Sequence, residues 1–166
     1  MTAADIRAHI DPMRHEFADQ RSLILPALRF AQREKGYLTL EDLEAVADAT
    51  GLTPAYVEGV ASFYDRLYLR PVGRWVISVC VTLPCMLRGS DELLDHLCHR
   101  LGLPHGGGTT EDGVFTLQEA QCLGACDRAP AIQVNADDMI GPATPEDADA
   151  LLERLREAPA PDSFVR

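Results

Sequence analysis

Two cysteine pairs limit what this chain can fold into more than any other feature. Cys80 and Cys85 lie in "RWVISVCVTLPC", and Cys122 and Cys126 lie in "VFTLQEAQCLGAC". Each pair follows a short apolar run. "RWVISVCV" is rich in β-branched residues and reads as a buried strand, and "VFTLQEAQ" reads as a second. The spacings are C-x4-C and C-x3-C. If the two strands are neighbours, both loops meet at one edge of a sheet, and four thiolates surround one point.

The rest of the composition says how such a site is to be read. The chain has 166 residues, enough for one good core with a smaller accessory module. Its net charge of −11 argues against a surface that follows nucleic-acid phosphates or anionic lipid. No apolar run approaches the ~20 residues of a membrane span. "MTAADIRAHIDPMRHEF" has neither an apolar h-region nor the acid-poor character of a transit peptide. A cytoplasmic, reducing setting is therefore expected. There, paired cysteines point to metal or redox chemistry more than to structural disulfides.

Two parts follow along the chain. The first 65 residues read as four helices, in "IRAHIDPMRHEFA", "SLILPALRFAQREKG", "LTLEDLEAVADATG" and "LTPAYVEGVASFY". Pro26 either starts or kinks the second. Thr39 with Asp42 forms a capping box for the third and Gly51 closes it, while Thr53 and Pro54 open the fourth. "LRPVG" is a turn and a boundary, which gives a helical module over 1–70 and an α/β domain over 71–166. In the second part the expected order is β-α-β-loop-β-β-α. Ser90 caps the helix "SDELLDHLCHRLG", "GLPHGGGTTEDG" is a loop, "AIQVN" and "DMIGPA" form a hairpin around Asp137, and Thr144 with Asp147 caps the last helix. That order fits a small thioredoxin-like unit behind a helical module.

The donor set suits a tetrahedral zinc ion or a [2Fe–2S] cluster in which each iron takes two cysteines. Zinc sites more often use tight C-x2-C knuckles, which neither pair has. A two-iron cluster tolerates wider spacing and gains from backbone N–H groups aimed at sulfur. Gly89 and Gly124 are expected to let the backbone approach closely. Four free buried cysteines in an α/β core is the plainest alternative.

"GVASFYDRL", "CVTLPCMLRGS" and "QCLGACDRAPAIQVN" together resemble the 24 kDa (NuoE-type) subunit of respiratory NADH:quinone oxidoreductase, complex I, in the family's order and over roughly residues 15 to 155. The resemblance implies a thioredoxin-like [2Fe–2S] ferredoxin domain behind N-terminal helices. One cluster would be held by Cys80 and Cys85 on one side and by Cys122 and Cys126 on the other. It also implies a partner flavoprotein that carries FMN and the NADH site, further complex I subunits, and a peripheral place on the cytoplasmic side of a bacterial inner membrane, without insertion. Small subunits of NAD-linked formate dehydrogenases and hydrogenases share the pattern and are the alternative. "ADDMIGPATPE" departs from the aromatic run common at that point of the family.

Other features read more plainly. Cys98 falls at the edge of the arc formed by Leu93, Leu94, Leu97 and Leu101, as a structural thiol does. His96 and His99 lie on the polar face of that helix. "HGGG" resembles an oxyanion loop, but no G-x-S-x-G accompanies it. No G-x-G-x-x-G follows a strand and no P-loop is present, so the chain shows no nucleotide site of its own. Residues 39–63 have a helix-turn-helix layout, yet "PAYVEGVASF" offers no Lys or Arg to DNA. A thiol–disulfide oxidoreductase would carry C-x-x-C at a helix start, and this chain does not. Phe63 and Tyr64 are candidate anchors for a partner, or else seal the helical module against the rest.

Overall fold

The computed structural model describes residues 1–135 and 138–159, with the side chain of Glu34 set aside. Two compact units are found: Met1–Pro71, and a second that begins at Val72.

The first unit is helical: α1 (Ala3–Ile10), α2 (Ile24–Lys35), α3 (Leu40–Thr50) and α4 (Pro54–Phe63), with 3₁₀ turns at Asp11–Glu16 and Gln20–Leu23. Pro12 ends α1, because its ring cannot continue an α-helix. Pro26 stands in the first turn of α2, where its missing N–H has no helical partner to lose. The Thr39–Asp42 capping box forms, and Asp42 is itself buried at 1% exposure with Lys35 Nζ 3.2 Å away. Ile6, Ile10, Leu28, Val46 and Val57 are buried in one core, each contributing about 2 kcal/mol. Buried Gln32 ties the exit of α4 back to α2: its amide donates to the Arg66 carbonyl (2.9 Å) and accepts from the Tyr68 N–H (2.7 Å).

The second unit is built on a five-stranded sheet in the order β2-β3-β1-β4-β5, with β1 (Trp75–Cys80), β2 (Gly107–Thr109), β3 (Phe115–Ala120), β4 (Ile132–Val134) and β5 (Asp138–Ile140). β1 and β3 are parallel and in register from Trp75↔Phe115 to Cys80↔Ala120, and the other pairings are antiparallel. The helices are α5 (Leu83–Met86), α6 (Ser90–Leu101) and α7 (Pro145–Glu157). Alternation decides which face is covered. Ile77, Val79, Phe115, Leu117, Ile132 and Val134 pack with Leu93, Leu97, Leu151 and Leu155 of α6 and α7 in one core. Cys80 falls on the opposite face, with Val76 and Ser78.

Three expectations need correction. The glycine-rich segment contains β2: Gly107 has φ +100, and a Cβ there would lie 2.8 Å from the Leu117 carbonyl carbon, so only glycine lets this edge pair with β3. The cap of α6 is Gly89, at φ +91, and not Ser90, which is buried in the first turn with its hydroxyl unpartnered. The loop between the first two cysteines holds α5. β4 and β5 pair as the expected hairpin, and Asp137, around which it was expected to turn, lies outside the described residues.

Candidate metal centre

The parallel register brings the ends of β1 and β3 together, so the segments that carry the two cysteine pairs leave the sheet at the same end. At the end of β1 the Cys80 N–H donates to the Ala131 carbonyl (3.0 Å), and the Val81 N–H donates to that of Ala120 (2.9 Å). The chain then turns into α5, with Thr82 as N-cap and Pro84 in its first turn, and the Cys85 N–H donates to the Thr82 carbonyl (2.9 Å). Both thiols are buried, at 4% and 2% exposure for Cys80 and Cys85. They pack with Ala129 and Ala131, and with Leu123, Ala125 and Met139, in a cluster separate from the main core.

The electrostatics of this pair favour one thiolate. Burial pushes the Cys80 thiol up. It is outweighed by hydrogen bonds from the Thr82 hydroxyl and N–H, the Leu123 N–H and the Cys85 thiol, so its pKa lies below the usual value. The Thr82 hydroxyl is 3.4 Å from Cys80 Sγ, and the Gln121 carbonyl 3.7 Å. Cys85 is pushed up by burial first and then by Cys80, with Cys126 adding to the repulsion and the Ala131 N–H opposing it.

The second pair is arranged differently. Cys122 and Cys126 are both exposed. Gly124 between them has φ +73 and open space where a Cβ would stand. Its left-handed backbone favours glycine, and so does that of Gly89 at φ +91, where a Cβ would also lie 2.9 Å from the Glu92 carboxylate. Cys126 opens a 3₁₀ turn, Cys126–Arg128. The structure thus joins Cys80 to Cys85 and brings Cys126 within electrostatic reach of Cys85. Among the described residues, no three His, Cys, Asp or Glu side chains close around a single-ion position.

The donor set fits a [2Fe–2S] cluster better than one tetrahedral ion. It comes as two pairs on facing loops, and the buried pair already receives N–H groups of the kind that stabilise sulfur-borne charge. Thr82 and the amides of Leu123 and Ala131 were not singled out from the sequence. Amides leave no sequence signal, but a hydroxyl two residues past Cys80 does.

The remaining candidates fall elsewhere. Cys98 is buried at 4% exposure in the sheet–helix core. His96 Nε2 is 2.9 Å from Asp149 Oδ1, which also takes Arg100 Nε at 2.8 Å, so this histidine joins α6 to α7. His105 Nδ1 is 2.6 Å from Asp95. Phe63 and Tyr64 are 80% and 40% exposed and meet edge to face at 5.2 Å.

Comparison with known proteins gives this geometry a family. The family model for thioredoxin-like [2Fe-2S] ferredoxins matches residues 10–156. An NADH-quinone oxidoreductase subunit of Rhizobium meliloti (strain 1021) is 42% identical over 161 residues, 97% of this chain and 95% of that protein. NADH-quinone oxidoreductase subunit 2 of Thermus thermophilus is 42% identical over 137 residues, covering 82% and 75%. Among solved structures, an NAD+-reducing [NiFe]-hydrogenase in its H2-reduced state aligns with a TM-score of 0.70 and 26% identity over 82% of this chain. The match spans only 22% of that hydrogenase chain. With the α/β fold, the helices that precede it and a family match over most of its length, the chain belongs to the thioredoxin-like [2Fe-2S] ferredoxin family.

Proposed function

We propose that this chain is the electron-transfer subunit of the NADH-oxidising part of an NADH:quinone oxidoreductase, holding one [2Fe–2S] cluster on Cys80, Cys85, Cys122 and Cys126. When bound, such a cluster supplies a one-electron redox centre. The chain's own residues do the rest. Cys80 and Cys85 offer a dry pair of sulfurs, and the N–H groups of Leu123 and Ala131 hold charge on them. Cys122 and Cys126 face solvent. The observation that carries the reading is this buried, hydrogen-bonded pair at the shared end of two parallel strands, with the second pair on the neighbouring loop. The chain's net charge of −11 disfavours added negative charge and points to a low potential.

NADH and FMN chemistry would belong to a partner flavoprotein, with which this chain exchanges single electrons, and other subunits of the complex would complete the assembly. The helical module, residues 1–70, is the docking element, and residues 71–166 are the cluster domain. The compact units bounded at Pro71 support that division. Exposed Phe63 and Tyr64, with Tyr56, Val60, Leu25 and Arg21, line an open groove of mixed polar and apolar character, about 400 Å³, suited to an interface. The reading places the chain peripherally on the cytoplasmic side of a bacterial inner membrane; no helix among the described residues is long and apolar enough to cross a membrane. A second reading, the equivalent subunit of an NAD-linked hydrogenase, is favoured by the structural likeness to that enzyme. Its 26% identity against 42% for the quinone-reductase subunits ranks it second.

The test is a series of single Cys→Ser substitutions. Each of Cys80, Cys85, Cys122 and Cys126 as Ser should lose or destabilise the cluster, measured by visible absorbance and bound iron. Full retention by Cys126→Ser or Cys80→Ser would refute the ligand set.

A further inference from the structure

Five threonines occupy helix N-caps among the described residues, and four of them do what an N-cap threonine ordinarily does. The hydroxyls of Thr2, Thr39, Thr53 and Thr144 accept from the N–H three residues on, at 3.2–3.3 Å. Thr82 is the exception. It caps α5 in position only, and its side chain makes no capping hydrogen bond. Its hydroxyl instead lies 3.4 Å from Cys80 Sγ, beside a sulfur that is 4% exposed with its residue.

A hydroxyl and a thiol can each act as donor, so the direction of this bond is open while Cys80 carries its proton. A cysteine bound to iron has lost that proton. The sulfur can then only accept, and Thr82 must donate. We propose that Thr82 is a positioning residue for the redox centre: its hydroxyl donates to the metal-bound sulfur of Cys80 and raises the reduction potential. This rests on the ligand set proposed above. A donor aimed at sulfur stabilises the reduced state more than the oxidised one, because the added electron increases the negative charge that sulfur carries.

The experiment compares Thr82→Val, Thr82→Ala and Thr82→Ser in the full-length chain with its cluster, by redox titration followed by EPR. Valine keeps the β-branched shape and removes only the hydroxyl, and α5 loses no side-chain cap. Thr82→Val and Thr82→Ala should shift the reduced–oxidised equilibrium about tenfold toward the oxidised form, a potential about 59 mV more negative for one electron. Thr82→Ser should stay near the wild-type value. An unchanged potential in Thr82→Val with its cluster intact overturns the proposal. So does a serine variant that shifts as far as valine, since packing rather than the hydroxyl would then be responsible. Loss of the cluster from both Val and Ala variants also overturns it and makes Thr82 an assembly residue. A wild-type chain with no iron and no labile sulfide would instead fail the underlying ligand reading, so the two failures are distinguishable.

Discussion

Gly141 has no room for a methyl group, and what it would strike is the turn that carries Cys126. A Cβ built at this position overlaps the Arg128 carbonyl oxygen and lies 3.0 Å from the Pro130 oxygen and 3.3 Å from the Arg128 carbonyl carbon. Ordinary contacts lie at 3.4–4 Å. All three atoms are backbone, so no side chain can rotate away, and either β5 or the Cys126–Arg128 turn must move. Overpacking of this kind costs about 1–3 kcal/mol, and a backbone clash belongs at the upper end. For a unit of about 90 residues, 2–3 kcal/mol is a fall of about 10–20 °C in Tm. Because the displaced turn starts at Cys126, Gly141→Ala should also shorten the lifetime of the cluster absorbance under a chelator. Two other glycines calibrate the result. Gly124→Ala meets nothing within 4 Å but sits at φ +73, so it should cost only about 1 kcal/mol. Gly59→Ala, in the interior of α4 with open space around it, should be neutral or stabilising by about 0.5–1 kcal/mol. Gly141→Ala with the wild-type Tm and wild-type cluster lifetime would refute the steric reasoning.

Other consequences follow from buried groups and from the exposed aromatics. Cys98→Ser should keep the cluster but lower stability by about 1–3 kcal/mol in thermal unfolding, because it places a hydroxyl in the apolar core of α6 and the sheet. Asp42→Ala should destabilise the helical unit by about 1–2 kcal/mol by removing the capping box. Burial pushes the Asp42 carboxyl up, but the Thr39 N–H and hydroxyl and Lys35 outweigh it and hold it below the usual carboxylate range. A folded pKa below the unfolded one gives stability that is full above pH ~4 and lost as pH falls through the folded value. The variant's acid unfolding curve should therefore flatten below pH ~4 relative to wild type. Phe63→Ala, at an 80% exposed position, should leave stability within about 0.5 kcal/mol but, if the proposed flavoprotein docks on this module, weaken its binding by tenfold or more in a pull-down or calorimetric titration.

Local chemistry was legible in the sequence wherever one residue's side chain decides the backbone. The Thr39–Asp42 and Thr144–Asp147 boxes, the Thr53–Pro54 start and the two strands that run into cysteine could all be read directly, because their hydrogen bonds close within three or four residues or their alternation meets one core. The misreadings share another cause. β2 is three residues of Gly-Gly-Thr with no alternation to read, and its pairing comes wholly from the free edge of β3. Ser90 has the chemistry of an N-cap, but the short turn that follows α5 brings the chain to Gly89 in the left-handed region directly before it, so the capping position passes to glycine. At the candidate centre, the spacing pointed to two cysteine pairs at neighbouring strand ends. It could not show that one pair is dry and the other exposed, since that depends on Ala129 and Ala131 packing over Cys80 and Cys85 from the far side of the second loop.

Iron and acid-labile sulfide analysis of the purified full-length chain, with EPR after chemical reduction, tests the central claim most directly. The expected result is about two irons and two sulfides per chain, with a rhombic signal that accounts for one electron. Stoichiometric zinc with no labile sulfide, or a chain that reduces by forming and breaking a disulfide with no iron bound, would contradict it.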